Sequence, residues 1–214
     1  KHLTKEQLKN DLEIRDLSDE NQGEHCMQLI MNEVIDALKE YWNCPVTIYR
    51  EDPIVTLEDN YDKLKINKES VLRSEVYTRY VDDNHVLRTM ASVMVPRGLQ
   101  SIKNKIKPNH LLACVGLVYR RDQIDRIHSG VHHQMDLWYT SENPVSEQDM
   151  QDMINIIVYQ MNDYDTNRDS YIKSILLEDF VDLPVTYPLK YQLKHSYYFF
   201  QLLKYLLLVL LHDT

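Results

Sequence analysis

The side chains best suited to chemistry fall between Arg120 and Asp136. His132, Gln134 and Asp136 alternate with His133, Met135 and Leu137. Strand side chains point to opposite faces in turn, so the first three share one face and the second three, with Tyr139, share the other. The spacing predicts a polar face lining a cleft and an apolar face resting on helices. Arg120 sits at the end of an apolar run that begins at Leu111, where its guanidinium could grip a phosphate with two parallel hydrogen bonds. An arginine on one strand beside a glutamine and an aspartate on the next makes a site for an anion and an ammonium together. An amino acid being joined to ATP presents both charges. The same alternation also describes a half-exposed sheet with ordinary polar residues outward, and it names no substrate.

The elements that must hold these residues are legible around them. Residues 111–121 and 132–140 read as two strands, joined across a polar stretch into an antiparallel hairpin with a long tip. Residues 3–17 predict an amphipathic helix, with Thr4 as N-cap and Gln7 three positions on. Residues 24–42 predict a stronger helix with Cys26, Leu29, Ile30, Val34, Ile35 and Leu38 on one face, stopped before Pro45. Residues 46–49 and 54–57 are short β-type runs. Ser146 caps a further helix, with Asp149 three residues later. Met150, Met153, Ile154, Ile157, Val158 and Met161 then repeat at helical spacing as a core stripe. Long helices mixed with hairpin-type strands predict an α+β domain with an antiparallel sheet, and no βαβ alternation is evident. The apolar stretch 197–211 is shorter than the ~20 residues of a membrane span and contains Gln201 and Lys204. It is expected to pack on the core as a helix or strand.

Composition bounds the function. Of 214 residues, 43% are apolar and 27% charged, as in an ordinary globular protein. With four glycines, no G-x-G-x-x-G and no G-x-x-x-x-G-K-S, a Rossmann or P-loop nucleotide site has no support. A net charge of -9 argues against broad nucleic-acid binding. Two local basic clusters remain, Lys103, Lys105 and Lys107, then Arg120, Arg121 and Arg126. They fit either a solvated face or contact with one RNA end. Three cysteines without a C-x-x-C predict neither disulfides nor a zinc knuckle and suit a reducing, cytoplasmic setting. His128, His132 and His133 cluster in sequence, but the last two point to opposite faces, so no metal site is expected. The chain starts at Lys1 rather than methionine, so a preceding segment is expected.

Three segments resemble one family. Residues 116–136, GLVYRRDQIDRIHSGVHHQMD, resemble the second signature motif of phenylalanyl-tRNA synthetase catalytic subunits: G-x-V-[YF]-R-x-[DE], a loop with T-H, then F-H-Q-[ML]-E-G. Residues 87–92, LRTMAS, resemble its LRT-[HQ]-T-S, and residues 60–67, NYDKLKIN, resemble its N-F-D-A-L-N-x-P. Order and spacing agree. The resemblance implies a class II aminoacyl-tRNA synthetase core, an antiparallel sheet flanked by helices, over 1–214. Residues 1–22 would be a helical extension and 166–214 divergent or incomplete.

It implies a ligase that uses ATP and Mg²⁺ to make an aminoacyl-adenylate and then charges tRNA, and a homodimer or hetero-oligomer. By alignment, Arg120 would pair with the α-phosphate and substrate carboxylate, Asp122 would lie near the adenine amino group, and His128 near the ATP phosphates. Gln134 and Asp136 would hold the substrate ammonium, and Ser92 would also meet the amino acid. The sequence departs from the family at Met90, His132, Asp136 and Leu137, around the expected amino-acid pocket. His132 would suit a more polar substrate, or is a satisfied structural histidine. Nothing after Asp165 resembles the family's Gly-rich third motif. Two alternatives follow: a paralogue that binds amino acid or ATP as a regulator, or one that transfers the activated amino acid to an acceptor other than tRNA.

Overall fold

A computed structural model describes residues 2–103, 109–121, 130–141, 143–162 and 198–202, with 161–162 and 198–202 described by backbone alone. Among the described residues four helices, α1 (Lys5–Leu12), α2 (Cys26–Trp42), α3 (Val95–Ile102) and α4 (Glu147–Asn162), accompany six strands. The strands are β1 (Val46–Tyr49), β2 (Ile54–Thr56), β3 (His85–Leu87), β4 (His110–Tyr119), β5 (Val131–Ser141) and β6 (Tyr198–Leu202). The main sheet runs β1-β4-β5-β6, and β2 pairs with β3 in a second, antiparallel sheet.

The expected hairpin forms. β4 and β5 pair antiparallel with Gly116 opposite Gln134, Cys114 opposite Asp136 and Val118 opposite His132. β6 adds antiparallel to β5, so residues 198–202 of the apolar tail join the sheet as a strand. β1, in contrast, pairs parallel to β4, a mixed sheet that the absence of βαβ alternation does not anticipate. A parallel pair needs a long crossover connection, and here residues 50–109 supply it. They carry the β2–β3 sheet and α3.

β4 is apolar from Leu111 onward because both its faces are covered. On one face Leu111, Ala113 and Val115, with Met135 and Leu137 of β5, pack against Ile30, Val34 and Leu38 of α2 and Met153, Ile157 and Val158 of α4. Trp42 stacks on Tyr139 with ring centroids 4.0 Å apart. On the other face Leu112, Cys114 and Trp138 meet Met94, Val95 and Ile102. Each fully buried aliphatic side chain here contributes about 1.5–3 kcal/mol of transfer free energy.

Three helix expectations are refined. α1 has the capping box expected of Thr4 and Gln7 but ends at Leu12. Beyond it, Asp16 Oδ1 accepts from Ser18 N at 3.0 Å, and Leu17 N donates to His133 Nε2 at 2.9 Å; such side-chain bonds compete with helical ones. α2 starts at Cys26 with His25 as cap, and its buried face is Met27, Ile30, Met31, Val34, Ile35 and Leu38. Leu29 is 59% exposed and Cys26 is exposed as well, so the face that meets the sheet is rotated from the expected one. α4 keeps the cap, Ser146 Oγ meeting Asp149 N at 3.2 Å and Ser146 N meeting Asp149 Oδ2 at 2.7 Å.

Candidate functional site

The polar face of β5 does not open into a cleft. Gln134 and Asp136 are 1% and 2% exposed, lying beneath the helical turn Ala91–Met94 that follows β3. A buried amide and carboxylate need partners, and this turn provides them. Ser92 Oγ donates to Asp136 Oδ2 at 2.5 Å and Ala91 N donates to Gln134 Oε1 at 3.0 Å. Trp138, two residues along the same face, donates its Nε1–H to Asp136 Oδ1 at 3.0 Å. The face assignment is as the alternation requires; its cover was not foreseen.

Arg120, one residue beyond β4, continues the face of Val118. Its backbone N–H donates to Gly130 O at 2.7 Å, closing the hairpin base. Its side chain is partly buried, and Nε donates to Thr89 O at 3.0 Å. Among the described residues that is the one hydrogen bond of its guanidinium, so the Nη donors remain available to an anion. Ser92, Gln134, Asp136 and Arg120 are thus all gathered against residues 88–92.

That stretch is held from several sides. Thr89 N donates to Asn60 Oδ1 and Asn60 Nδ2 to Thr89 Oγ1, each at 3.0 Å. Arg88, 4% exposed, donates from Nε to Leu117 O at 2.7 Å and from Nη1 to Glu51 O at 2.9 Å. Burial lowers the pKa of this guanidinium from its usual high value, and Tyr119 and Glu51 oppose the shift. Gly116 makes room for it, since a Cβ there would stand 2.6 Å from Arg88 Nη2. The three segments singled out in the sequence therefore meet in space through Asn60, Thr89, Ser92, Gln134 and Asp136. Asn60, Arg88 and Thr89 were not chosen as site residues. The signal for Arg88 was present as one charge inside an apolar run.

Behind this stretch Arg97 grips Glu51 with two bonds, 2.7 and 2.6 Å, and reaches Asp59 at 2.5 Å. These partners raise the Arg97 pKa further, the Glu51 hydrogen bond most. Burial alone would raise Asp59, but hydrogen bonds from Lys63 and Thr56 hold it below the usual carboxylate range.

Of the remaining expected residues, His132 is buried on the face of Gln134. His133 points the other way, its Nε2 3.3 Å from Asp16 Oδ1, so the two histidines do not converge. Asp122, His128, Lys105, Lys107, Arg126 and Met161's side chain lie outside the described residues. Among the described residues no group of three His, Cys, Asp or Glu is placed to hold a metal, and no helix is long and apolar enough to cross a membrane.

Comparison with known proteins agrees with this fold. A family model described as the tRNA synthetases class II core domain (F) matches residues 9–173. The phenylalanine–tRNA ligase alpha subunit of Mycoplasma pneumoniae is 31% identical over 132 residues, covering 60% of this chain and 39% of that protein. The mitochondrial phenylalanine–tRNA ligase of Saccharomyces cerevisiae is 39% identical over 87 residues, covering 39% of this chain and 18% of that protein. The chain therefore spans well under half the length of these relatives. A pyrrolysyl tRNA synthetase structure from Desulfitobacterium hafniense superposes with a TM-score of 0.50 at 14% identity, over 64% of this chain and 45% of that one. It supports the fold alone.

Proposed function

Because the chain belongs to the class II core-domain family of tRNA synthetases, we propose that it is the core of a ligase that joins an amino acid, phenylalanine or a related one, to ATP and passes it to tRNA. The observation that supports this most is the gathering of Ser92, Gln134, Asp136 and Arg120 against one stretch of chain. An ammonium has three donors, and Ser92 Oγ, Gln134 Oε1 and an Asp136 oxygen are three acceptors set together. Arg120 then faces the other end of the substrate. A substrate carboxylate oxygen attacks the α-phosphorus, a P–O bond forms, the bond to the bridging oxygen breaks, and pyrophosphate leaves. Arg120 offsets the charge that develops on the α-phosphoryl oxygens, and catalysis is positioning and charge stabilisation. ATP would enter as substrate and bring Mg²⁺ with it, an ion that would offset charge on the phosphates. Asp122 is assigned to the adenine amino group and His128 to the phosphates, both by resemblance. His132, on the same face, borders the amino-acid side of the site. Assembly with a second copy or a different subunit, and action in the cytoplasm or an organelle, belong to the same reading.

The test is amino-acid-dependent exchange of labelled pyrophosphate into ATP by the full-length protein. Exchange with phenylalanine, lost in Arg120→Ala, supports the reading. No exchange with any of the standard amino acids, beside a working phenylalanine enzyme, ends it.

A further inference from the structure

One arginine outside all three motif segments holds the place where Arg120 leaves its strand. Arg79 is only 15% exposed at its side chain. Its Nε donates to Arg120 O at 3.0 Å and its Nη2 to Gly130 O at 3.1 Å. The guanidinium thus spans both strands at the hairpin base, bridging the carbonyls of the two residues joined by the Arg120 N to Gly130 O bond. Its third edge is taken by Asp11 of α1, 2.5 Å from Nη1. A partly buried guanidinium is fixed when its fork is satisfied from several sides at once.

Each neighbour is built to keep it there. Leu87 N donates to Arg79 O at 3.0 Å, which fixes the Arg79 backbone against β3. Leu8, three residues before Asp11 and so on the same side of α1, packs against the cluster of Leu87, Leu117 and Tyr119. Gly130 has no Cβ to interfere: one placed there would stand 2.6 Å from Arg79 Nη2 and 3.1 Å from Arg120 O.

We propose that Arg79, braced by Asp11, is a positioning residue that fixes the backbone of Arg120 and thereby aims its guanidinium at the α-phosphate, making α1 part of the catalytic scaffold. The proposal rests on the synthetase reading for the role of Arg120. Arg79 touches no substrate in this scheme. It acts through a carbonyl, while Thr89 O holds the same residue's side chain.

The experiment uses the full-length protein and the variants Arg79→Met, Arg79→Lys and Gly130→Ala, with Lys9→Gln on the outer side of α1 as control. Pyrophosphate exchange with phenylalanine is measured per active site, with KM for ATP and kcat separated, beside the thermal midpoint and amide hydrogen exchange. Arg79→Met is expected to lower kcat at least tenfold with KM for ATP changed less than threefold, while the protein stays folded at the assay temperature. Arg79→Lys, which keeps charge but not the fork, falls between. Gly130→Ala, which evicts the guanidinium, matches Arg79→Met, and the two together lose no more than either. The amides of Arg120 and Arg121 exchange at least tenfold faster in Arg79→Met, and those of β1 do not change. A purely structural role would instead reduce the number of active sites and leave kcat per site alone; that result, or unchanged exchange at Arg120, overturns the proposal. A wild-type protein without pyrophosphate exchange sinks the synthetase reading and the catalytic half of this one, and amide exchange then decides the clasp by itself.

Discussion

Asn60 and Thr89 hold one another through reciprocal hydrogen bonds, backbone N–H to amide oxygen and amide N–H to hydroxyl, both 3.0 Å long and both buried. Thr89 then offers its carbonyl to Arg120 Nε. Asn60 is therefore one residue removed from the arginine assigned to the phosphate. Asn60→Ala and Thr89→Ala are each expected to cost about 1–3 kcal/mol, because each leaves a buried polar group unpaired. In urea unfolding, the double variant should fall short of the summed losses by about 0.5–3 kcal/mol. Simple additivity would show that the two side chains act separately.

The Asp136 carboxylate is held by Ser92 and Trp138. Asp136→Asn keeps the shape and removes the charge that would meet a substrate ammonium. Hydrogen bonds to charged groups contribute about 1.5–3 kcal/mol, so KM for the amino acid should rise roughly 10- to 100-fold. KM for ATP should move little. Trp138→Phe, which removes one donor from Oδ1, should give a smaller change in the same direction. Steady-state exchange kinetics read both, and an equal rise in the two KM values would count against the ammonium assignment.

Acid should loosen the joint between the 13–19 segment and β5. Burial alone would raise the Asp16 carboxyl, but the contact with His133 and the hydrogen bonds from Ser18 lower it to about 2. A folded-state value below the ordinary value near ~4 gives stability that is present above pH ~4 and lost between pH ~4 and ~2. The amount is about 2 kcal/mol. Asp16→Asn should flatten that part of the stability–pH curve, and His133→Gln separates the imidazole's share from that of Ser18. An unchanged acid limb in Asp16→Asn would remove Asp16 from the account.

Thiol chemistry gives a simple check of the packing. Cys26 is exposed, whereas Cys44 and Cys114 are buried. Burial pushes Cys44 up to about 11 and Cys114 well above the usual thiol range. Thiolate is the reactive form. A disulfide exchange reagent at pH 8 should therefore modify Cys26 alone in the folded chain and all three cysteines in urea. Rapid modification of Cys114 without denaturant would mean that α3 does not cover β4.

The hairpin and its two faces were legible because alternation is local: His132, Gln134 and Asp136 can be assigned from neighbouring residues alone. So was the capping box at Thr4 and Gln7, set by four consecutive residues. What stayed hidden depends on distant pairing. A four-residue run such as 46–49 carries no mark of whether it will lie parallel or antiparallel to its neighbour. Ser92 and Asp136 are 44 residues apart, and nothing in either segment announces that the turn holding one will roof the other. Arg79 drew no reading from the sequence, since its carbonyl partners belong to backbone and leave no trace in side-chain types. The face of α2 was misjudged at Leu29 because Leu is equally at home on either side, and only contact with the sheet selects the stripe through Met27 and Met31.

The parallel pairing of β1 with β4 carries a kinetic implication. Registering 46–49 against 111–114 ties off everything between them as one closed circuit, and Asn60, Arg79, Thr89, Ser92 and Arg97 all ride on it. Closure of so long a circuit is entropically costly and favours slow, late assembly. A single backbone nick between 50 and 109 is thus expected to cost more than a local segment, undoing the sheet's first partnership and the cover over Gln134 and Asp136 in the same event.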